Sequence, residues 1–268
     1  MYDYAENHNV FHIKALYTAF ALNIGGKYNF AGERHNFWEL VVAVEGEIGV
    51  TAGENAWAMK AGEAVLHPPM EFHRIWGAGT TGRFIVFSFS ADGLSAEAGG
   101  TFAGVDLEQV DCLLQQTREC FQMNSIRFGC LRKDEMTAHI LVKQWELFLL
   151  ELIDQKKQPN HEEKSRTARN YAAIVRTLEA HIHENLSVEE IAELCKMSAA
   201  SVKQTFSRYA GMGIMGYFNR MKVEAAVFML RGGSSVQETA TALGFSSQNY
   251  FSTVFKRIMG KPPTAYKE

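Results

Sequence analysis

The sequence is poor in the features that mark secreted, disordered and membrane proteins. It has only 5 prolines and 4 cysteines in 268 residues. It contains no run of 18 apolar residues that would predict a transmembrane helix, and it does not begin with the charged-then-apolar pattern of a secretory signal. We therefore expect a soluble, cytoplasmic protein with no membrane partner.

The few cysteines exclude two further classes of protein. Cys112, Cys120, Cys130 and Cys195 form neither a C-x-x-C pair nor a zinc pattern. We therefore expect them to be reduced and mostly buried, without a disulfide framework.

Charge is distributed unevenly between the two ends of the chain, although the net charge is only −3. Residues 171–268 carry 11 Lys and Arg against 8 Asp and Glu, whereas residues 1–160 carry 13 against 20. A basic end beside an acidic end favours nucleic-acid binding by the basic one. Because the surplus is small, we expect a single copy to bind DNA weakly and two copies to bind together.

A segment near the C-terminus occurs twice, as Ser198–Tyr217 and as Ser247–Tyr266, at an offset of 49 residues (247 − 198). Each copy follows a short helical run and begins with a serine, which can accept hydrogen bonds from the free N–H groups of a helix. The repeated unit is therefore predicted to be a helix, a tight turn and a serine-capped second helix.

Each second helix is predicted to be apolar on one side and polar on the other. The polar side chains are of the kinds that contact base edges and phosphates. A plain helical bundle with solvated faces is the alternative, but two units in register favour DNA binding. The predicted DNA-binding residues are Ser201, Lys203, Gln204, Ser207, Arg208, Ser247, Gln248, Asn249, Ser252, Thr253, Lys256 and Arg257.

These segments closely resemble the DNA-binding domain of the AraC/XylS family of bacterial transcription regulators. The resemblance is carried by Ile191-Ala-Glu-Leu-Cys-Lys-Met-Ser198, Tyr217-Phe-Asn-Arg-Met-Lys222, Gly244-Phe-Ser-Ser-Gln-Asn-Tyr-Phe251 and Gly260-Lys-Pro-Pro-Thr-Ala-Tyr266. It implies a seven-helix domain over residues 171–268, with two helix-turn-helix units joined by a long helix near Ile214 to Leu230.

The same resemblance implies double-stranded DNA as partner, each second helix entering a major groove, and RNA polymerase as a further candidate partner. The chain departs from the family pattern at two positions. Thr253 replaces a basic residue, and Thr239 replaces a core Ile or Val. The first departure puts base contacts of the second unit in doubt, and the second predicts a weaker core.

The first hundred residues have a different pattern. Phe37–Val50, Trp57–Leu66 and Phe84–Ser90 alternate between apolar and polar residues, and glycines separate these segments. The pattern predicts a β-sandwich or barrel over residues 1–100. The fold class is thus α+β, with two domains.

The spacing His35-x3-Glu39-x6-Gly46, followed by Gly62-x5-Pro68 and His73, resembles the cupin barrel that AraC-family regulators carry as a sensor. The resemblance implies a small-molecule effector inside the barrel. Stacking on Trp38, Trp57 or Trp76 would suit a sugar, although core packing explains each tryptophan equally well. A fatty acid or an aromatic ligand is the alternative. The predicted effector-binding residues are His35, Trp38, Glu39, His67, His73 and Arg74.

A metal site is a separate possibility in the barrel. Glu33, His35 and Glu39 share strand parity and could meet His73 and His67, which is adequate chemistry for a first-row metal. However, Glu33 stands where metal-binding cupins have a histidine, and regulators of this family usually hold an organic effector. We therefore predict no metal, no cofactor and no enzymatic activity, with a metal-dependent cupin enzyme as the alternative.

Residues 101–158 are predicted to form two helices, Leu107–Met123 and Asp134–Lys156. The second is too rich in apolar residues for one ordinary amphipathic face. Family resemblance implies that it forms a homodimer, and complete burial within one chain is the alternative. Residues 159–170 are polar and begin with Pro159, which predicts a linker.

Overall fold

The computed structural model describes residues 11–124, 127–155 and 166–266. The chain divides into two compact units, Met1–Ala52 with Trp57–Glu163 and Gly53–Ala56 with Lys164–Glu268. Residues 1–10 of the predicted barrel and residues 159–165 of the predicted linker lie outside the described part. In that part, no helix combines the length and the apolar character needed to cross a membrane.

The first unit is built on an eight-stranded sheet, with the order β6-β4-β2-β5-β1-β8-β7 and with β3 paired to β2. Neighbours along this path pair antiparallel. The strands are β1 (His12–Ile24), β2 (Trp38–Ala52), β3 (Asn55–Lys60), β4 (Glu63–His67), β5 (His73–Asp92), β6 (Gly100–Ala103), β7 (Phe121–Asn124) and β8 (Arg127–Leu131).

This unit differs from the predicted barrel because its hydrogen bonding does not close. Among the described residues, no strand pairing joins β6 to β7 at the two ends of the path. Both end strands have only 4 residues, and β8 meets β1 at a single paired position. In the described residues the N-terminal region is therefore an antiparallel sheet that does not close into a barrel, and the α+β class is confirmed.

The long strands bury both faces of the sheet. Along β2, Leu40 and Val42 belong to one core cluster, and Val41 and Ala43 belong to another. Successive side chains of a strand point to opposite faces, so each cluster takes every second residue. Gly46 interrupts the β2–β5 register with a φ of +65°, where a Cβ would lie 2.2 Å from the Thr81 carbonyl oxygen.

Two helices cover one face of the sheet, α1 (Leu107–Cys120) and α2 (Glu135–Asp154). Asp106 and Asp134 cap their N-termini by accepting backbone N–H groups. Trp145 of α2 stacks on Phe87 of β5 with ring centroids 3.8 Å apart, and its indole N–H donates to Thr117 of α1 at 2.9 Å. One buried residue thus connects both helices to the sheet.

The structure corrects the prediction of two plain helices over residues 101–158. Strand β6 precedes α1, and the β7–β8 hairpin separates α1 from α2. Helix α1 ends at Cys120 rather than Met123, because Phe121, Met123 and Phe128 pack from the hairpin against the core.

Two of the cysteines, Cys112 and Cys130, are exposed rather than buried, and all four are free thiols.

Helix α2 is buried along one side only. Leu141, Trp145, Phe148, Leu149 and Leu152 belong to the core of the first unit. The opposite side leaves Met136, Ile140 and Leu147 at 67%, 52% and 54% exposed.

The second unit is all α-helical. Its helices are α3 (Arg166–Ala180), α4 (Val188–Leu194), α5 (Ala199–Ala210), α6 (Ile214–Arg231), α7 (Val236–Ala242) and α8 (Gln248–Met259), followed by a short 3₁₀ helix, Pro263–Tyr266. Helix α3 begins five residues before the predicted domain start at residue 171, so residues 166–170 are helical and not linker. Its buried face includes Ala168, Tyr171 and Ile174, so the apolar period of the helix already includes residues before position 171.

The second unit contains the repeated helix pairs that the sequence predicts, α4 with α5 and α7 with α8. Ser187 and Ser235 form capping boxes at the first helix of each pair, and Ser198 and Ser247 cap the second helix. The two predicted serine caps are confirmed. The offset between equivalent caps is 48 residues for the first helices (235 − 187) and 49 for the second (247 − 198), so the second turn is one residue longer.

Thr239 is buried in α7, and its hydroxyl is hydrogen-bonded. Its Oγ1 donates to the carbonyl oxygen of Ser235 at 2.8 Å. This bond offsets most of the cost of a polar group in the core.

Candidate functional site

The first unit contains a cavity of about 730 Å³. Most of its walls are apolar or aromatic side chains. Four carboxylates or imidazoles also line it, from β2, β5 and the segment before β2. The lining residues are Tyr17, Thr18, Phe20, Ala21, Leu22, Tyr28, Phe30, Glu33, His35, Phe37, Glu39, His73, Arg74, Ile75, Phe84, Val86 and Arg118.

Strand pairing brings four of these polar residues together. Glu33 and His73 form a backbone bridge with N···O distances of 2.9 and 3.1 Å. Glu39 of β2 lies between two imidazoles, with Oε1 3.3 Å from His73 Nε2 and Oε2 3.5 Å from His35 Nε2. One ligand atom from each of Glu33, His35, Glu39 and His73 lies within 4.8 Å of the others.

Backbone carbonyls determine which ring nitrogen of the two histidines carries a proton. His35 Nδ1 lies 2.9 Å from the Phe37 carbonyl oxygen, and His73 Nδ1 lies 3.0 Å from the Glu71 carbonyl oxygen. A carbonyl only accepts, so each Nδ1 must donate. In the neutral imidazole, Nε2 of both residues then points a lone pair toward the Glu39 carboxylate.

The cluster shifts the pKa values of its buried members. Burial alone would raise the pKa of the Glu39 carboxyl, but the facing His35 and His73 outweigh it and lower that pKa. Burial lowers the pKa of His73, but the neighbouring Glu39 outweighs burial and raises it. Glu39 is therefore ionised at neutral pH.

His67 lies beside the cluster but does not line the cavity. Its ring stacks on His73 with centroids 4.4 Å apart, and its Nδ1 donates to Glu71 Oε2 at 2.7 Å. Burial is the largest effect on this group and lowers its pKa, although Glu71 opposes the shift. His67 thus packs on the ring of His73 without lining the cavity.

The structure differs from the prediction for the tryptophans. Trp38 precedes Glu39 on β2, so its side chain points to the opposite face and packs in the helix-covered core. Trp76 packs over Gly49 and donates to Thr51 Oγ1 at 3.1 Å, and Trp57 packs against the second core cluster. None of these tryptophans lines the described cavity.

Arg74 lines the cavity, but its guanidinium is bound within the protein. Its Nε donates to the Phe30 carbonyl oxygen at 2.8 Å, and Nη2 donates to Asn29 Oδ1.

Arg118, near the end of α1, was not predicted and also lines the cavity. Sequence reasoning also missed β1, whose signal is a 13-residue apolar-rich run without glycine or proline.

A second candidate site is the polar face of α5 and α8. Most of the predicted residues are exposed there, with Ser201 and Ser252 half-buried. Val202, Phe206, Phe251 and Phe255 occupy the opposite, buried sides of these helices. The buried sides fix the rotation of each helix, so the polar sides point to solvent.

Comparison with known proteins decides the class of this unit. The family model described as "Helix-turn-helix domain" matches residues 191–268, which include both capped helices. A "Putative AraC-like transcription regulator" from Streptomyces lividans is 29% identical over 83 residues, covering 31% of this chain and 27% of that protein. The C-terminal segment is an AraC-type helix-turn-helix domain.

Other proteins are similar to part of this chain. The "Regulatory protein PocR" from Salmonella typhimurium is 27% identical over 121 residues, covering 42% of this chain and 40% of that protein. The solved structure of an AraC-type transcriptional regulator from Chromobacterium violaceum is 25% identical, with a TM-score of 0.35, covering 37% of this chain and 89% of that chain. The chain spans less than half the length of either curated relative.

Within the AraC-type domain, two predicted contact residues already have bonds in their own helix. Ser247 Oγ accepts the Tyr250 N–H at 3.2 Å as the cap of α8. Thr253 Oγ1 donates to the Asn249 carbonyl oxygen at 3.0 Å. Gln248, Asn249, Lys256 and Arg257 extend from the exposed side of the same helix.

Proposed function

We propose that the chain is a DNA-binding transcription regulator whose N-terminal unit binds a small-molecule effector. The observation that carries this proposal is the presence of two equivalent helices, α5 and α8, in the AraC-type domain. Helices α5 and α8 have the same serine cap, the same left-handed glycine end at Gly211 and Gly260, and a polar face turned to solvent. Two equivalent reading helices suit two contacts with one duplex.

The proposed contacts divide into base reading and phosphate binding. Side chains at the N-terminal end of a recognition helix reach base edges, which favours Gln248 and Asn249 in α8. Lys203, Lys256 and Arg257 are exposed cations farther along the helices and suit phosphates. If α5 and α8 enter successive major grooves on one side of the duplex, their sites are roughly 34 Å apart.

The effector is proposed to bind in the 730 Å³ cavity of the first unit. Its walls are mostly aromatic and aliphatic, and no tryptophan lines it among the described residues. A sugar needs a polar partner for most of its hydroxyls. The walls therefore favour a fatty acid or an aromatic ligand over the sugar, with Arg118 available to contact an acidic group.

The proposed regulator acts in the cytoplasm as a homodimer. The exposed apolar residues of α2 support a contact between two copies. RNA polymerase is the proposed partner at a bound promoter.

The direct test is DNA binding by the full chain. A gel-shift assay with promoter fragments of the neighbouring genes should give a shift that excess random DNA of equal length does not remove. The same preparation should be incubated with sugars, fatty acids and aromatic acids, and an effector should change the shift. Equal affinity for every fragment and turnover of a cavity ligand would instead favour the metal-dependent enzyme.

A further inference from the structure

The polar end of the cavity contains ring nitrogens that the protein itself does not satisfy. His35 Nε2 and His73 Nε2 are buried and have no hydrogen-bond partner in the described part of the chain. Both point toward Glu39, which is 7% exposed, and His73 is 2% exposed. Burying such atoms without a partner is costly, so a native site of this kind calls for an explanation.

We propose that Glu33, His35, Glu39 and His73 bind one divalent first-row transition-metal ion. Their ligand atoms lie within 4.8 Å of one another. Ligands about 2.1 Å from one ion lie at most about 4.2 Å apart, when they face each other across it, so the farthest pair must approach by at least about 0.6 Å when an ion binds. The ion accepts the Nε2 lone pairs and the carboxylate oxygens together.

The surrounding hydrogen bonds match those of a metal centre. A histidine that binds a metal through one nitrogen usually donates its other N–H to a carbonyl or carboxylate. His35 and His73 do so to the carbonyl oxygens of Phe37 and Glu71. Ser88 Oγ donates to Glu39 Oε2 at 2.8 Å, and Thr18 donates to Ser88 at 2.6 Å. These bonds fix the ligands before an ion arrives.

An ion pair between two charged imidazoles and Glu39 explains the cluster less well. Charge-assisted N–H···O bonds are about 2.7–2.9 Å long, but the two Nε2···O distances here are 3.3 and 3.5 Å. The atoms are therefore too far apart for strong hydrogen bonds and close enough to share an ion. With two carboxylates and two neutral imidazoles, a divalent ion also leaves the site without net charge.

The donor set defines the class of metal. Two imidazoles favour zinc, iron, nickel or copper over magnesium and calcium, which prefer oxygen ligands. In the described part of the chain no cysteine belongs to this cluster. The sequence alone predicted no metal because Glu33 replaces a histidine, but a carboxylate is also a ligand.

This inference concerns the cavity of the proposed regulator but does not depend on DNA binding. The 268-residue chain should be stripped with a chelator and titrated with Co²⁺, whose visible spectrum reports its coordination. We expect one ion per chain, and elemental analysis of Zn²⁺-loaded protein should give the same ratio. X-ray absorption of the Co²⁺ protein should show nitrogen and oxygen ligands with imidazole scattering.

Variants locate the ion. His35→Ala and Glu39→Gln should each weaken Co²⁺ binding at least 100-fold, whereas His139→Ala, at an exposed position on α2, should leave it unchanged. Ser88→Ala should weaken binding about 10- to 100-fold while the Co²⁺ spectrum keeps its form, because Ser88 positions Glu39 without touching the ion. Circular dichroism checks that each variant is folded.

Two results would overturn the site. One is that wild-type protein holds clearly less than one ion per chain after loading. The other is that His35→Ala and Glu39→Gln are both folded and bind Co²⁺ as tightly as the wild type does. A sulfur shell in the absorption spectrum would place the ion elsewhere. Gel shifts with metal-free and loaded samples test the regulator separately, since DNA binding without a stoichiometric metal rejects this inference and keeps the proposed function.

Discussion

Gln248 and Lys256 lie on the same exposed side of α8 but at different distances from its N-terminus. The first is at the end that reaches base edges in a recognition helix, and the second is in the last turn. An amide reads a base through paired donor and acceptor groups, whereas an ammonium group contacts phosphate regardless of sequence. We therefore expect substitutions of these two residues to separate the specificity of DNA binding from its affinity.

Gln248→Ala should weaken binding to the specific site by about 1–3 kcal/mol and relax base preference at particular positions. Lys256→Ala should weaken specific and random DNA alike and reduce the salt dependence of binding. Fluorescence anisotropy with both DNAs at several salt concentrations measures these effects. Equal losses on specific and random DNA for Gln248→Ala would contradict base reading by this residue.

Lys222 of α6 is a buried cation, 3% exposed. Its Nζ donates to the Glu184 carbonyl oxygen and lies 4.5 Å from the centroid of the Phe218 ring. Burial lowers its pKa from 10.5 to about 8, and Glu184 only partly opposes the shift. The folded state therefore binds this proton less tightly than the unfolded state does.

This shift makes stability depend on pH. The cost of burying the charge is fully present below about pH 8, and it disappears as the pH rises toward 10.5, because the unfolded state binds more protons in that window. The free energy of unfolding of the wild type should therefore rise relative to Lys222→Met between pH 8 and 10. Urea unfolding at several pH values measures it, and Lys203→Met, an exposed position, is the control. A constant difference between wild type and Lys222→Met would reject the idea.

At the scale of elements, helix α2 has two apolar sides, one packed in the core of the first unit and the other exposed. On its inner side, Trp145 packs on Phe87 and donates a hydrogen bond to Thr117. On its outer side, Ile140 and Leu147 are 52% and 54% exposed. Apolar residues in one row on a helix surface are typical of a contact between proteins. The outer row is therefore the surface that the proposed homodimer would bury.

The double variant Ile140→Glu with Leu147→Glu should be monomeric but folded. It should bind a single half-site as the wild type does and lose the tighter binding to paired half-sites that two linked copies provide. Light scattering and gel shifts with one or two half-sites measure both effects. Gln115→Lys places a charge on the exposed side of α1 and should change neither. Wild-type protein that is monomeric at micromolar concentration would remove the basis of this prediction.

At the scale of the whole molecule, an effector changes transcription only if it binds one state of the chain better than another. Substitution of a cavity residue that contacts the effector should therefore change the effector concentration needed for the DNA response. It should not change DNA binding in the absence of effector. Arg118 suits this test because it lines the cavity from α1 and lies far along the chain from the AraC-type domain.

Arg118→Gln should raise the concentration of an acidic effector needed for the DNA response about tenfold or more, since hydrogen bonds to charged groups contribute about 1.5–3 kcal/mol. Binding without effector should stay the same. The dose response of the gel shift measures this, using the fatty or aromatic acid that changes the wild-type shift. Arg132→Gln, at an exposed position of the first unit, is the control. An unchanged dose would exclude contact between Arg118 and the effector.

Local signals in the sequence predicted much of the fold. The serine caps, the helix pairs and the alternation of β2 and β5 depend on residues within a few positions of one another, so spacing reveals them. The β7–β8 hairpin and strand β1 escaped the same reasoning. Residues of both take part in a core whose other members are distant in the sequence.

The sequence by itself determined the AraC-type domain, because its caps, turns and apolar periods are local and occur twice. It also identified Glu33, His35, Glu39 and His73 as residues that could meet. Only the tertiary structure decided that Trp38 faces the other side of the sheet, that the Nδ1 atoms are held by backbone carbonyls and that two Nε2 atoms converge on Glu39. Those facts depend on strand register and ring orientation, which are set by packing between segments far apart in the chain.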